Sequence, residues 1–217
     1  MIISTNIMKT LKTARYYLAG SPSGKTKNIW IVIHGYGQLA GKFIQQFEFL
    51  INDETVVIAP EGLSRFYTGS ATGELIGAGW MTKEDRDNEN KDYIAYLDSV
   101  LKELMETING KNVKINILGF SQGVHTAARW FIYSENKFDA LYLCSSDFPR
   151  DADFEKLKMK LKNSKMFYIY GNNDGIIPDA SFDSSVKMLN KENVVYKTVI
   201  FEGKHIIHAD TIKKLAG

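Results

Sequence analysis

The sequence predicts one α/β domain in which helices cover both faces of a mostly parallel, doubly wound β-sheet. Short apolar runs of strand length recur along the 217 residues, and segments with the apolar spacing of helices lie between them. Several of the runs are apolar throughout, as in strands that are buried on both faces. No repeat, low-complexity tract or linker divides the sequence, so we expect a single domain over residues 1–217.

The strands are predicted from the apolar runs and from the turns that end them. Residues 12–18 are predicted to form an early strand that ends at a turn of Gly, Ser and Pro residues at 19–24. The buried strands that follow are predicted at 28–33, 55–59, 113–118, 140–144, 166–170 and 194–201.

The helices are predicted from apolar residues that recur every three or four positions. In the clearest case, 92–108, Tyr93, Leu97 and Leu104 fall on one face, and Asn109 and Gly110 supply a stop. The other helices are predicted at 43–51, 122–133, 154–161, 181–189 and 206–215. A helix between parallel strands forms a right-handed crossover connection.

Between the third predicted strand and the long helix, the segment 61–90 shows no clear period. It is rich in glycine, contains Phe66 and Trp80, and ends in a run of charged residues. A long irregular segment inside a compact domain is usually functional. We therefore expect a lid or a pocket wall, although the same aromatic side chains also suit a segment that is merely anchored to the core.

Composition and charge exclude several functional classes. With 44% hydrophobic and 24% charged residues, the chain is typical of globular proteins. Its 27 basic and 25 acidic residues leave a net charge of only +2, without a basic run, so nucleic acid and anionic membrane surfaces are not expected partners. Four scattered histidines and one cysteine do not suggest a metal site.

The single cysteine and the N-terminal sequence indicate a cytoplasmic protein. Cys144 cannot form an internal disulfide, and its apolar neighbours favour a small buried residue over a reactive thiol. The N-terminus lacks the charged and then apolar pattern of a signal peptide. No apolar stretch reaches the roughly 18 residues of a membrane helix, so we expect no stable membrane insertion.

Two glycine-containing stretches resemble nucleotide-binding motifs, but neither matches its motif completely. Gly20 and Gly24 enclose three residues where a P-loop requires four, and an apolar strand follows them instead of a helix. The stretch 34–41 fits the dinucleotide pattern G-x-G-x-x-A, but the acidic residue expected after the next strand is missing. The alternative is an H-G-x-G loop whose backbone N–H groups stabilise an oxyanion.

The stretch 117–123 contains the most informative motif, G-x-S-x-G, between a buried strand and a helix. In this context Ser121 occupies a sharp corner that exposes its hydroxyl group. The helix that follows directs free N–H groups and the positive end of its dipole toward the same place. The motif alone is weak, because a chain of this length contains it by chance about once in fifteen sequences.

Two other strand ends supply residues that would activate this serine. Asp174 and His205 follow the last two predicted strands, and the carboxyl ends of parallel strands lie at one edge of a sheet. We predict that His205 accepts the Ser121 proton and that Asp174 orients His205. The backbone N–H groups of Tyr36 and Gln122 are predicted to form the oxyanion hole.

Other histidines and aspartates compete for the base and acid roles. His208, one helical turn beyond His205, is the alternative base, and Asp147 is the alternative acid. The remaining candidates are predicted to cap a helix, pack or hydrogen-bond the backbone: His34, His125 and Asp179.

Taken together, these motifs resemble the phospholipase/carboxylesterase group of α/β hydrolases, which includes the acyl-protein thioesterases. The resemblance runs from about residue 29 to 208, and G-F-S-Q-G at 119–123 is its most specific part. The resemblance implies an α/β-hydrolase fold, no cofactor, and a monomer or homodimer. It also implies a small-molecule ester or thioester substrate with a short to medium acyl chain. The other matching stretches are H-G-Y-G at 34–37, G-W-M at 79–81, G-N-N-D-G at 171–175 and G-K-H at 203–205.

Three positions depart from that family pattern. Gln38 stands where the family usually has an acidic residue, Val124 stands where a further glycine often follows the motif, and 59–64 replaces a proline-rich segment of the thioesterases. The triad chemistry is compatible with these changes, whereas the thioesterase substrate does not carry over.

The resulting hypothesis is a serine esterase that forms an acyl-enzyme on Ser121. A lysophospholipase or thioesterase with a long-chain preference is the alternative, and it would need an apolar groove whose predicted walls are Leu63, Phe66, Trp80 and Phe148. A third interpretation is a non-catalytic domain that binds a small ligand, against which the complete set of Ser, Asp and His argues.

Overall fold

A seven-stranded sheet forms the centre of the computed structural model, which describes residues 1, 3–69, 75–108 and 112–217. Its strand order is β1-β3-β2-β6-β7-β8-β9, and β1 is antiparallel to β3 while the other neighbours are parallel. The mostly parallel, doubly wound sheet is thus confirmed. Within the described residues the strands are β1 (Tyr16–Ala19), β2 (Asn28–Ile33), β3 (Thr55–Pro60), β4 (Ser64–Thr68), β5 (Leu75–Gly79), β6 (Lys114–Phe120), β7 (Ala140–Cys144), β8 (Lys165–Gly171) and β9 (Lys197–Phe201).

The apolar runs of the central strands are divided between two hydrophobic cores. In β2, Ile29, Ile31 and Ile33 belong to one core, and Trp30 and Val32 belong to the other. Successive side chains of a strand point to opposite faces of the sheet. Because both faces are covered, the strand needs no polar positions, which explains its continuous apolar sequence.

The helices cover both cores. α1 and the 3₁₀ helix pack with α6 on one face, and α2, α3, α4 and α5 pack on the other. Within the described ranges, no helix offers an apolar stretch of bilayer length. The helices are α1 (Ala40–Phe43), the 3₁₀ helix (Ile44–Leu50), α2 (Arg86–Ile108), α3 (Gln122–Tyr133), α4 (Phe154–Leu161), α5 (Asp179–Lys191) and α6 (Ala209–Ala216).

Some boundaries differ from the prediction because local hydrogen bonds override the apolar pattern. The last helix begins at Ala209, since the His208 side chain accepts the Thr211 N–H and caps it. Asp179 is the first residue of α5, where it accepts the Tyr170 hydroxyl at 2.7 Å instead of capping the helix. The predicted 43–51 helix is largely a 3₁₀ helix, and the stop predicted at Asn109 and Gly110 lies outside the described residues.

The irregular conformation predicted for 61–90 is wrong for much of its described part. β4 and β5 form an antiparallel hairpin there, and α2 already begins before residue 90. A Cβ on Gly77 would lie 2.5 Å from the carbonyl O of Gly37, so close packing requires glycine at this position. The glycine interrupts the sequence pattern by which a strand is predicted. Residues 70–74 lie outside the described residues, and a lid or wall role for the segment stays a prediction.

A buried carboxylate connects the hairpin to the main sheet. The Glu61 carboxylate accepts hydrogen bonds from Arg15 Nε at 2.6 Å, Arg65 Nη1 at 3.2 Å and the Ala40 N–H at 3.3 Å. Burial opposes its ionisation, but the two guanidinium groups outweigh burial and hold the pKa of Glu61 below its ordinary value. The fold therefore favours the charged form.

We expect Glu61→Gln to remove an acid-sensitive part of the stability. Because the folded-state pKa is depressed, this contribution is complete above the pKa of the unfolded chain and is lost as the pH falls through the folded-state pKa. Urea unfolding at neutral pH should show a loss of about 2 kcal/mol. The difference from the wild type should shrink below about pH 4.5, the ordinary carboxyl value.

The control for this substitution is Glu103→Gln, because Glu103 accepts only an exposed hydrogen bond from the Tyr16 hydroxyl. It should change the free energy of unfolding by less than about 0.5 kcal/mol. A Glu61→Gln difference that stays constant between neutral and acidic pH would contradict the assigned charge state.

Candidate active site

Ser121 lies between β6 and α3 in a strained backbone conformation. Its φ of 52° and ψ of −125° fall outside the regions that non-glycine residues normally occupy. Strain of this kind costs on the order of 1–3 kcal/mol and persists only where the surrounding structure enforces it. The turn lies at the carboxyl end of β6, as the G-x-S-x-G motif predicts.

Backbone packing accounts for both glycines of the motif. A Cβ on Gly123 would lie 2.2 Å from the carbonyl O of Ile33, the last residue of β2. A Cβ on Gly119 would lie 2.4 Å from the carbonyl O of Gly123. No side chain fits at either distance, so α3 starts directly against the neighbouring strand and holds the serine turn in place.

The loop 34–38 passes close to Ser121. A Cβ on Gly35 would lie 3.0 Å from the Ser121 Cβ. The next residue, Tyr36, and the residue after the serine, Gln122, have N–H groups that donate to no other group of the described residues. Two free N–H groups beside a nucleophile suit a developing oxyanion, and the assignment of these two residues to an oxyanion hole stays a prediction.

Side chains of neighbouring segments lock this arrangement. Gln122 Oε1 accepts the Trp80 N–H at 3.1 Å, and Gln122 Nε2 donates to the Met81 carbonyl O at 3.1 Å. Trp80 Nε1 donates to the His34 carbonyl O at 2.9 Å, and His34 Nε2 accepts the Gly62 N–H at 3.0 Å. The end of β5 is thereby tied both to the serine helix and to the loop.

These contacts also determine the proton position on His34. Burial lowers the pKa of His34, so the ring is neutral at pH 7. Because Nε2 accepts the Gly62 N–H, the ring proton resides on Nδ1 and is donated to the Gly35 carbonyl O at 2.7 Å. His34 therefore supports the loop backbone, as predicted. Gln38 adds to this support, since its Oε1 accepts the Gly35 N–H at 2.7 Å.

His205 and Asp174 are brought together from the turns after β9 and β8. His205 Nδ1 lies 2.7 Å from Asp174 Oδ2. The Asp174 side chain is fully buried, and its other oxygen accepts the N–H groups of Ile176 and Ile177 at 2.9 and 3.0 Å. With these partners the carboxylate has one fixed orientation, and the imidazole is held by it.

The His205 ring also contacts the residue before the serine. Its centroid lies 4.8 Å from that of Phe120, which places the imidazole at the serine turn. Among the hydrogen bonds of the described residues, none joins Ser121 Oγ to His205. A hydrogen bond between nucleophile and base is often long until a substrate tightens it.

The rival residues have other partners. His125 Nε2 lies 3.0 Å from Asp147 Oδ1, so these two form a second histidine–aspartate pair one helical turn from Ser121. Asp147 is 37% exposed, whereas the Asp174 side chain is fully buried. His208 caps α6 and stacks on Phe201 with ring centroids 4.6 Å apart. The His205–Asp174 pair is thus better shielded than the His125–Asp147 pair.

Cysteine and metal chemistry receive no support from the described part of the chain. Cys144 is buried, and burial raises the pKa of its thiol, so the predicted small buried residue is confirmed. No group of three or more His, Cys, Asp or Glu side chains in the described ranges is arranged to hold a metal ion.

The four predicted wall residues do not share an open surface. Trp80 and Phe148 are buried in the core, Leu63 packs against it, and Phe66 stacks on Tyr36 with ring centroids 4.9 Å apart. None of the four lines the cavity that contains Ser121. Their assignment as substrate-binding residues stays a prediction.

The cavity beside Ser121 has a volume of about 700 Å³, and most of its lining residues have polar or charged side chains. It extends from the serine turn along α3 to the segment after β7 and to the residues before α2. Its lining includes six charged side chains, Lys83, Arg86, Arg129, Asp147, Arg150 and Asp151. Sequence reasoning missed this basic character, because the cations come from three separated segments and each looks like an ordinary solvated charge.

Both carboxylates of this lining are already paired. Asp151 Oδ1 lies 2.6 Å from Arg129 Nη2. Burial opposes the ionisation of Asp151, but Arg129 outweighs it and holds the pKa of Asp151 below its ordinary value. The hydrogen bond from His125 lowers the pKa of Asp147 in the same way. Both groups are therefore charged at neutral pH, and each has a partner.

Comparison with known proteins is consistent with this geometry. Residues 17–216 match the family model described as Phospholipase/Carboxylesterase. No curated protein sequence matches the chain.

Solved structures share the fold at low sequence identity. Esterase PE8 superposes with a TM-score of 0.68 at 21% identity, covering 94% of this chain and 96% of its own. Acyl-protein thioesterase 2 of Zea mays gives 0.64 at 16% identity, with coverage of 94% and 96%. The Bacillus cereus carboxylesterase gives 0.65 at 15% identity, with coverage of 93% and 91%. At such identities the likeness establishes the fold alone.

We expect Gly123→Ala to disrupt the serine turn. The added methyl group would meet the Ile33 carbonyl O at 2.2 Å, so the start of α3 must move away from β2. Overpacking of this kind costs about 1–3 kcal/mol, which urea unfolding would measure. Gly175→Ala is the matched control, because a Cβ on Gly175 meets nothing within 4 Å. Equal stability of the two variants would show that the close approach does not constrain the turn.

Proposed function

Because the chain belongs to the phospholipase/carboxylesterase family of α/β hydrolases, we propose that it cleaves carboxylic esters of short to medium acyl chains through an acyl-enzyme on Ser121. The observation that carries the proposal is the strained serine turn beside His205 and its buried partner Asp174. Family membership supports a hydrolase of esterase or thioesterase type, and the remaining detail rests on the chemistry of these residues.

In the first half of the proposed reaction, the Ser121 hydroxyl oxygen attacks the carbonyl carbon of the ester. His205 accepts the hydroxyl proton as the new C–O bond forms, because a neutral serine hydroxyl is a poor nucleophile. Asp174 stabilises the resulting imidazolium. When the tetrahedral intermediate collapses, the bond to the alcohol oxygen breaks and His205 returns the proton to the departing alcohol.

In the second half, water repeats the sequence on the acyl-enzyme. His205 takes a proton from the attacking water, and the acyl–Ser121 bond breaks with return of that proton to the serine oxygen. The free acid leaves. The N–H groups of Tyr36 and Gln122 would stabilise the oxyanion in both halves, and each such donor lowers the activation barrier by about 3 kcal/mol.

Two features support a preference for short to medium acyl chains. Most of the residues that line the cavity containing Ser121 are polar or charged. Of the aromatic residues predicted to wall a long-chain groove, Trp80 and Phe148 are buried in the core and Phe66 stacks on Tyr36. A long chain would gain about 0.8 kcal/mol per methylene group only if that group were buried against apolar surface.

Ser121→Ala should abolish hydrolysis of p-nitrophenyl butyrate and labelling by a fluorophosphonate. His205→Gln and Asp174→Asn should lower kcat by about four orders of magnitude, because the serine then lacks an oriented base. His208→Gln serves as the control and should retain activity. Full activity of Ser121→Ala, or a larger loss in His125→Gln than in His205→Gln, would overturn the assignment. An unlabelled wild type would favour a non-catalytic binding protein.

A series of p-nitrophenyl esters from acetyl to palmitoyl should give its highest kcat/KM at or below about eight carbons. Each methylene beyond the reach of apolar surface adds no binding energy and must displace water from charged groups. The measurement uses concentrations at which every ester is monomeric. A steady rise in kcat/KM up to palmitoyl would identify the long-chain lysophospholipase or thioesterase instead.

A further inference from the structure

The cavity beside Ser121 carries an excess of positive charge. Four permanent cations line that cavity against two carboxylates. This excess of two equals the formal net charge of the whole chain, which is +2. A second cavity has a comparable excess, since Lys114, Lys162, Lys165 and Lys213 line it together with the Asp139 carboxylate. The excess beside Ser121 therefore matters because of its position next to the candidate nucleophile.

Three of these cations form no ion pair with a carboxylate of the described residues. Both acidic groups of the lining are engaged, Asp151 by Arg129 and Asp147 by His125. Lys83, Arg86 and Arg150 take part in none of the ion pairs formed by the described residues. Exposed cations of one sign around a concave site raise the local concentration of anions.

The arrangement is anchored by a buried arginine. The Arg129 side chain is only 4% exposed, and besides Asp151 it donates to the His125 carbonyl O at 3.4 Å. Asp151 follows Arg150 directly in the chain, so the ion pair with the buried Arg129 holds the segment that carries Arg150 beside the cavity. Lys83 and Arg86 line the same cavity from the segment that leads into α2.

We propose that the cavity selects esters that carry an anionic group, a carboxylate or a phosphate, and that Lys83, Arg86 and Arg150 bind this group. The proposal rests on the proposed hydrolysis at Ser121 and specifies its substrate class. A carboxylate or phosphate would form charge-assisted hydrogen bonds to cations that lack a partner. Arginine is suited to this task, because its planar guanidinium group binds either anion with two parallel hydrogen bonds.

The test compares matched pairs of esters. Monomethyl glutarate and methyl 5-methylhexanoate differ only in the replacement of an acyl-side carboxylate by an isopropyl group. Butyryl glycerol phosphate and butyrylglycerol place the anionic group on the alcohol side. We expect the wild type to hydrolyse one of the two anionic esters with a kcat/KM at least tenfold higher than its neutral partner, and the preference should fall as the salt concentration rises.

The variant Lys83→Gln/Arg86→Gln/Arg150→Gln should lower the anionic-to-neutral ratio of kcat/KM at least tenfold. Lys114→Gln/Lys162→Gln/Lys165→Gln is the matched control, because it removes the same charge from exposed lysines around a different cavity. It should leave the ratio unchanged. If the first variant fails to fold, Arg150→Gln alone provides the test, with a reduced ratio expected.

The outcomes separate the substrate class from the catalytic proposal. If a fluorophosphonate labels Ser121 and the neutral esters are hydrolysed as well as the anionic ones, the anionic preference is wrong and the esterase proposal stands. Equal loss in the cavity variant and the lysine control would also overturn the preference, since bulk charge would then explain it. If Ser121 is not labelled and no ester is cleaved, both proposals fail.

Discussion

The close contact between the start of α3 and the end of β2 is the constraint on which the candidate site depends. Gly123 approaches the Ile33 carbonyl so closely that a Cβ would lie 2.2 Å from it. This approach keeps the Ser121 backbone at a positive φ that would otherwise relax. The 34–38 loop continues from the same strand end, so this packing contact places the serine turn next to the loop whose N–H groups lie beside it.

The loop itself is held by hydrogen bonds that need no ionised side chain. Neutral His34 connects the Gly35 carbonyl to the Gly62 N–H, and Gln38 accepts the Gly35 N–H. This explains how glutamine can stand where the family resemblance implies an acid: at this position an acceptor oxygen is needed, and an amide supplies one. The departure from the family pattern is therefore compatible with an intact loop.

Two histidine–aspartate pairs lie near Ser121 and differ in their surroundings. Asp174 is fully buried and receives two backbone N–H groups besides His205, which suits a carboxylate that must orient a base. Asp147 is partly exposed and lies with His125 in the lining of the basic cavity. Burial and backbone hydrogen bonds thus distinguish the pair assigned to proton transfer in the proposed mechanism from the pair that lines the basic cavity.

The apolar runs and the helical spacing were sufficient to predict the parallel sheet and most of its helices, since both patterns are local. The order of the serine, aspartate and histidine turns also followed from the sequence, because parallel strands end at one edge. The hairpin of β4 and β5 was not predicted, because close packing against the 34–38 loop requires glycine within β5 and interrupts the alternating pattern of a strand. The burial of Trp80 and Phe148 and the basic cavity were decided only by the tertiary structure. Both depend on distances between segments that are far apart in the chain. The hydrophobicity and charge of the sequence contain no information about those distances.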